Sequence, residues 1–186
     1  RLTYDEVQAH QDGNPCDKTS ALAPDVIENL YGVYHALRQA RLERGALDID
    51  KPERKVRIGE DGKIAEITLR QRHDSHKMIE ELMIAANVAA ARQLEDKNMP
   101  VMYRVHDQPS AEKAENLREY LQSLGLSLRK GSQLRPIDFA QILKRVKETE
   151  HKDAVNESVL RSQSQAEYGP HNLGHFGLGL TAYSHF

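Results

Sequence analysis

Cysteine is almost missing from this chain of 186 residues, with Cys16 the single one. One cysteine excludes a disulfide framework and a zinc site built on several thiolates. A reducing, intracellular location is the expectation that follows. No apolar run approaches the length of a membrane span, and no signal-peptide pattern opens the chain. An excess of one charge is also lacking, since 26 Lys and Arg stand against 28 Asp and Glu, a formal net charge of −2. A chain without basic bias that binds nucleic acid is expected to do so in a local groove, helped by segments beyond these residues. The phosphate loop GxxxxGK[ST], the dinucleotide fingerprint GxGxxG and the nucleophile elbow GxSxG are absent, as is any set of aspartates spaced for a divalent metal. No complete active site is therefore expected within these residues.

What is present is a soluble, globular balance of 39% hydrophobic and 29% charged residues, enough for one ordinary domain or a large piece of one. The first residue is Arg1 rather than methionine, so a piece of a longer polypeptide is expected. LTYDEVQAHQDG reads as a short helix running into Gly13, Asn14 and Pro15, and the segment from Cys16 to Ala23 as loop. Pro24 suits a first helical turn. Ile27, Leu30, Tyr34 and Leu37 follow at helical spacing, and Gly45 is the stop. KVRI and KIAEITL, separated by Gly59, Glu60, Asp61 and Gly62, predict a hairpin. A long helix is predicted from Asp74 to Asp96, striped by Ile79, Leu82, Met83, Ala86, Ala90 and Leu94. PVMYRVHD reads as a strand, Ser110 opens a helix that Gly125 closes, and Phe139 to Val146 and Val155 to Leu160 mark two more. YGPHNLG turns the chain into GHFGLGLTAYSHF. There Phe176, Leu178, Leu180, Ala182, Ser184 and Phe186 alternate with His175, Gly177, Gly179, Thr181, Tyr183 and His185, which predicts a closing strand. The class is α+β, with long helices packed on a mostly antiparallel sheet.

Three constellations invite a chemical reading. His73, His76 and Glu80 at i, i+3 and i+7 lie on one helical face, as a metal site requires, or are polar residues of a first turn facing water. The spacing matches no tight ligand motif. Glu80 and Glu81 point about 100° apart on a helix, so spacing alone does not give them one acid–base site. With Ile79, Leu82 and Met83 around them, one of the two lies at the border of the buried stripe. The glycine face of the closing segment is either packed beneath another element or open to a ligand. Its aromatic and histidine residues suit contact with bases or phosphates.

Taken in order, LTYDEV, RGALDIDKPERKV, HKMIEELMIAANVAAA, YRVHDQPSAEKAENLREYL and LRSQSQAEYGPHNLGHFGLGLTAYSHF resemble one family. It is the catalytic (RNB) domain of the ribonuclease R and ribonuclease II exoribonucleases, closer to the ribonuclease R side, and the resemblance runs over the whole chain. It implies processive hydrolysis of single-stranded RNA from the 3′ end to nucleoside 5′-monophosphates, dependent on Mg²⁺ held by an aspartate cluster. In the family that cluster lies upstream of these residues. A Ser-Pro-Ile-Arg-Arg-Tyr motif, whose arginine contacts the scissile phosphate region, follows the closing strand. Residues 1–186 are thus expected to be the middle of a catalytic domain, with no catalytic residue and no metal ligand inside them, and inactive alone.

By the same resemblance Tyr4 matches a tyrosine at the edge of the RNA channel, and Glu80 a glutamate that contacts a nucleotide sugar. Together they imply choice of ribose over deoxyribose through the 2′-hydroxyl. Ile49 stands where ribonuclease II relatives carry a phenylalanine that stacks on the terminal base. An isoleucine offers apolar cover without a π-face, or serves only the core. The implied parent is a cytoplasmic monomer that binds single-stranded RNA and no membrane. A non-catalytic RNA-binding or scaffold relative is the competing expectation.

Overall fold

The structure is a computed structural model that describes residues 1–49, 54–69, 72–129, 131 and 134–185. The chain forms two compact units: Arg1–Ala36 with Asp50–Leu82, and Leu37–Ile49 with Met83–Phe186. The helices are α1 (Tyr4–Gln11), α2 (Asp17–Ser20), α3 (Val26–Glu43), α4 (Asp74–Asp96), α5 (Ala111–Ser123), α6 (Pro136–Val146) and α7 (Lys152–Ser162). Among the described residues two antiparallel pairs accompany them, β1 (Arg54–Ile58) with β2 (Ile64–Leu69) and β3 (Tyr103–Val105) with β4 (Glu167–Gly169). This is the α+β class, with its antiparallel pairing divided between two small sheets.

In the first unit, α1 begins at a capping box. The Glu6 amide donates to Thr3 Oγ1 at 3.2 Å, and the Thr3 amide donates back to Glu6 Oε2 at 2.7 Å, so two otherwise unpaired donors are satisfied reciprocally. Ile27, Tyr31, Tyr34 and Met78 form the buried cluster, flanked by Val7, Leu30, Ile79 and Leu82. Gln8 ties α1 into it, because its Oε1 accepts from Tyr31 Oη at 3.2 Å and from the Ser75 amide at 3.1 Å. The second bond occupies one of the unpaired donors at the start of α4. The segment from Cys16 to Ala23, expected to be loop, contains the single turn α2. Pro24 lies in the turn before α3, whose approach passes through Asp25 at φ +64°.

In the second unit, α5, α6 and α7 enclose Leu117, Leu121, Phe139, Ile142, Val146, Val155 and Val159. Ser110 caps α5 by accepting from the Lys113 amide, and Gly125 follows at φ +72°, as the sequence signals require. A smaller cluster joins Ala91, Val101, Tyr103, Val105 and Ala182.

The closing segment departs from the expected strand. Gly174 and Gly179 take left-handed backbone, at φ +71° and +62°, which breaks the extended run. Between them Phe176–Leu178 makes one turn of 3₁₀-helix. The His175 amide donates to Leu180 O at 2.8 Å and the Leu180 amide to His175 O at 3.2 Å, so the loop closes on itself. Isolated bridges, Tyr103 to Ser184 and His106 to His175, tie it to its neighbours, together with the Leu47 amide donating to Gly177 O at 2.8 Å and the Arg104 amide donating to Tyr183 O at 2.9 Å. Phe186 lies outside the described residues.

Candidate functional site

Thr3 as N-cap sets Tyr4 at the first helical position of α1, where its ring remains partly exposed. That ring stacks on His76 with centroids 4.1 Å apart and planes 16° from parallel. His76 stacks in turn on His73 at 5.7 Å, and His73 Nε2 lies 3.4 Å from Asp5 Oδ1. Glu80 is four residues after His76, on the same face of α4, and forms an ion pair with Arg72 just before the helix. Its side chain keeps 39% of its surface exposed, whereas Glu81 as a residue is only 4% exposed. The two adjacent carboxylates are thereby separated: Glu81 turns inward and Glu80 stays accessible as a hydrogen-bond acceptor. At the start of α4, Lys77 Nζ donates to Asp74 Oδ1 at 2.8 Å and holds that carboxyl below its ordinary range.

These side chains make an aromatic-and-acceptor surface. A stacked tyrosine and histidine offer π-faces, and a carboxylate held by a guanidinium offers two oxygens to a hydroxyl donor. His73, His76 and Glu80 take separate partners in Asp5, Tyr4 and Arg72. Among the described residues no three His, Cys, Asp or Glu side chains gather as metal ligands. The resemblance brings Tyr4 and Glu80 into play; the structure sets Tyr4 against His76 and carries Glu80 one turn further along α4. Ile49 belongs to the second unit, where it is half-buried against the cluster around Leu47 and Phe139. Sequence reasoning missed His76 as the partner of Tyr4 and Arg72 as the partner of Glu80. The Tyr4–His76 pair joins residues far apart in the chain, so no spacing rule signals it.

The histidines of the second unit are built differently. His106 Nδ1 accepts from the Gly177 amide at 2.9 Å, which leaves Nε2 as the donor to Ser164 O, also at 2.9 Å. Both ring nitrogens are spent on backbone, in one fixed tautomer. Burial lowers the His106 pKa. Burial and then the neighbouring His106 lower His175 from 6.5 to about 4. A Cβ on Gly177 would come within 2.9 Å of His106 Nδ1, and one on Gly179 within 2.8 Å of Arg44 O. The glycine face, read as a path carrying backbone toward a ligand, is filled by the protein's own atoms. At the surface of this unit Arg104 lies over the Tyr168 ring at 4.6 Å, and Tyr168 Oη is 2.9 Å from His185 Nδ1.

This order of helices and antiparallel strand pairs is that of an α+β domain, and the chain belongs to the RNB domain family, whose model matches residues 1–186. Ribonuclease R of Escherichia coli strain K12 is 40% identical over 188 residues, a match covering all of this chain and 23% of that protein. RNase R of Mycoplasma genitalium, solved in complex with ribose-methylated single-stranded RNA, is similar at a TM-score of 0.89 and 25% identity. It covers all of this chain and 29% of its own. Yeast Ssd1, a pseudonuclease, shares the fold at a TM-score of 0.65 and 16% identity, over all of this chain and 23% of its own. The chain thus spans about a quarter of the length of the curated relatives it matches.

Proposed function

We propose that residues 1–186 are the middle of the catalytic domain of a 3′-to-5′ exoribonuclease that hydrolyses single-stranded RNA to nucleoside 5′-monophosphates. What carries this reading is the joint placement of Tyr4 on His76 and of Glu80 one turn further along the same helix face. A ribose beside Glu80 donates its 2′-hydroxyl proton to a carboxylate oxygen, and a deoxyribose has nothing to donate. Arg72 limits the rotation of that carboxylate, and the Tyr4–His76 stack gives the adjoining base or sugar an apolar face. This half of the task is recognition. The RNB match and the naming of E. coli Ribonuclease R support hydrolysis as the parent's activity.

Mg²⁺ is the metal this reading assigns to the parent, where it would stabilise charge on the phosphate. Among the described residues no three His, Cys, Asp or Glu side chains gather as metal ligands, and this reading places no step of the reaction on this chain. The metal's ligands are assigned to the aspartate cluster upstream. The parent is read as a cytoplasmic monomer, in keeping with the single Cys16; among the described residues no helix is long and apolar enough to cross a membrane.

The test is a gel assay on 5′-labelled single-stranded RNA with Mg²⁺ and an EDTA control. The parent polypeptide is expected to shorten the RNA to a small end product only with Mg²⁺, and residues 1–186 alone to leave it intact. A parent that binds RNA without shortening it would replace this reading with that of a non-catalytic relative, a course open to this fold.

A further inference from the structure

β2 is exposed at all six of its positions. The pairing register decides which side chains share a face: Val56 stands opposite Ile67, Arg54 opposite Leu69, and Ile58 opposite Ile64 across a bulge. Side chains alternate along a strand, so Val56, Ile58, Ile64, Ile67 and Leu69 line one aliphatic face. They are between 49% and 67% exposed. On the other face Arg57 stands opposite Glu66, and the two pair at 3.1 Å, which marks that side as the one turned to water. Single exposed aliphatic residues are ordinary, but five on one small face form a contact surface. A two-stranded hairpin is at best marginal in water unless one face packs on something.

We propose that this aliphatic face is an intramolecular interface, covered by an apolar surface of the parent polypeptide that lies outside residues 1–186. The lengths choose the occupant. All of this chain matches only 23% of E. coli Ribonuclease R and 29% of the Mycoplasma chain, so a parent of that size carries some three-quarters of its residues elsewhere. The chemistry excludes RNA as the cover. Among its described side chains the face has no aromatic ring for a base, and its cation, Arg54, stands at one end. The inference rests on the chain being part of a longer RNB polypeptide, and not on that polypeptide being a nuclease.

The experiment is hydrogen exchange of the amides in residues 54–69 of the parent, followed in the native protein and in the variant carrying Ile58→Lys and Ile67→Lys, with Arg57→Ser and Glu66→Ser on the opposite face as the control. Exchange is expected to quicken at least about tenfold in the aliphatic-face variant and to change less than about twofold in the control. The aliphatic-face variant is also expected to lower the melting midpoint of the parent by roughly 5 °C or more, and the control by less than about 1 °C. Equal exchange in the native and aliphatic-face proteins would overturn the proposal, as would a parent midpoint that the aliphatic-face variant leaves in place. A dimeric parent that the aliphatic-face variant converts to monomer would overturn it in favour of a second copy. RNA shortening measured on the same parent keeps the two readings apart: protection without shortening removes the exonuclease and leaves the interface.

Discussion

Two stretches of this chain carry the same kinds of residue and use them in opposite ways. In residues 72–80 the histidines and the carboxylate take side-chain partners, with His76 on Tyr4 and Glu80 on Arg72, and Glu80 stays open to water. In residues 174–185 His175 turns inward, and with it His106; the His106 ring nitrogens go to a backbone amide and a carbonyl, His175 Nδ1 accepts from the Leu178 amide, and burial lowers the pKa of both. A histidine or a glycine therefore indicates no site by itself. What a side chain is bonded to, and how much water it keeps, separates the stretch that can meet a ligand from the one that holds the fold.

That contrast breaks most readily in the closing segment. Gly179→Ala would put a methyl group 2.8 Å from Arg44 O at a residue with φ +62°. It should cost roughly 2–4 kcal/mol, combining left-handed strain with overpacking against a fixed carbonyl; urea unfolding measures it, and a loss below about 1 kcal/mol would mean the loop is free to shift. Acid should act on the same segment. The folded His175 pKa of about 4 lies below the ordinary 6.5, so the unfolded chain takes up its proton first as pH falls. The stabilisation from keeping this ring neutral is whole above about pH 6.5, declines as pH falls from there toward 4, and stops changing below. Melting curves across that range should show the decline, and His175→Phe should flatten its share.

The first stretch should respond less in stability and more in recognition. Thr3→Ala removes the cap of α1 and should cost about 1 kcal/mol, read as lower helicity and a lower midpoint. Glu80→Ala should leave stability within about 0.5 kcal/mol, because the ion pair it breaks is half-exposed.

Much of this fold is legible in the sequence where the signal is local. The Asp74–Asp96 helix follows from its apolar stripe, and the hairpin from Asp61-Gly62, with Gly62 at φ +75°. α2 escaped because four residues hold no apolar period; it is closed instead by the Cys16 amide donating to Thr19 Oγ1. The closing strand misled because alternation survives in a chain that two left-handed glycines fold back on itself. Periodicity put one of Glu80 and Glu81 at the stripe's border without saying which, and only packing decides that Glu81 is the buried one. The stack of Tyr4 on His76 joins residues 72 positions apart, beyond the reach of any spacing rule, and it was the resemblance that drew attention to Tyr4 and Glu80.

The most direct measurement of the central claim compares RNA and DNA of one sequence as ligands, by fluorescence anisotropy, for the parent polypeptide and its Tyr4→Ala and Glu80→Ala variants. Loss of a charge-assisted hydrogen bond to the 2′-hydroxyl should reduce the preference for RNA about tenfold in Glu80→Ala, with DNA affinity unchanged. Tyr4→Ala should weaken both ligands. A Glu80→Ala protein that keeps the full RNA preference would contradict the assignment of this surface to ribose recognition.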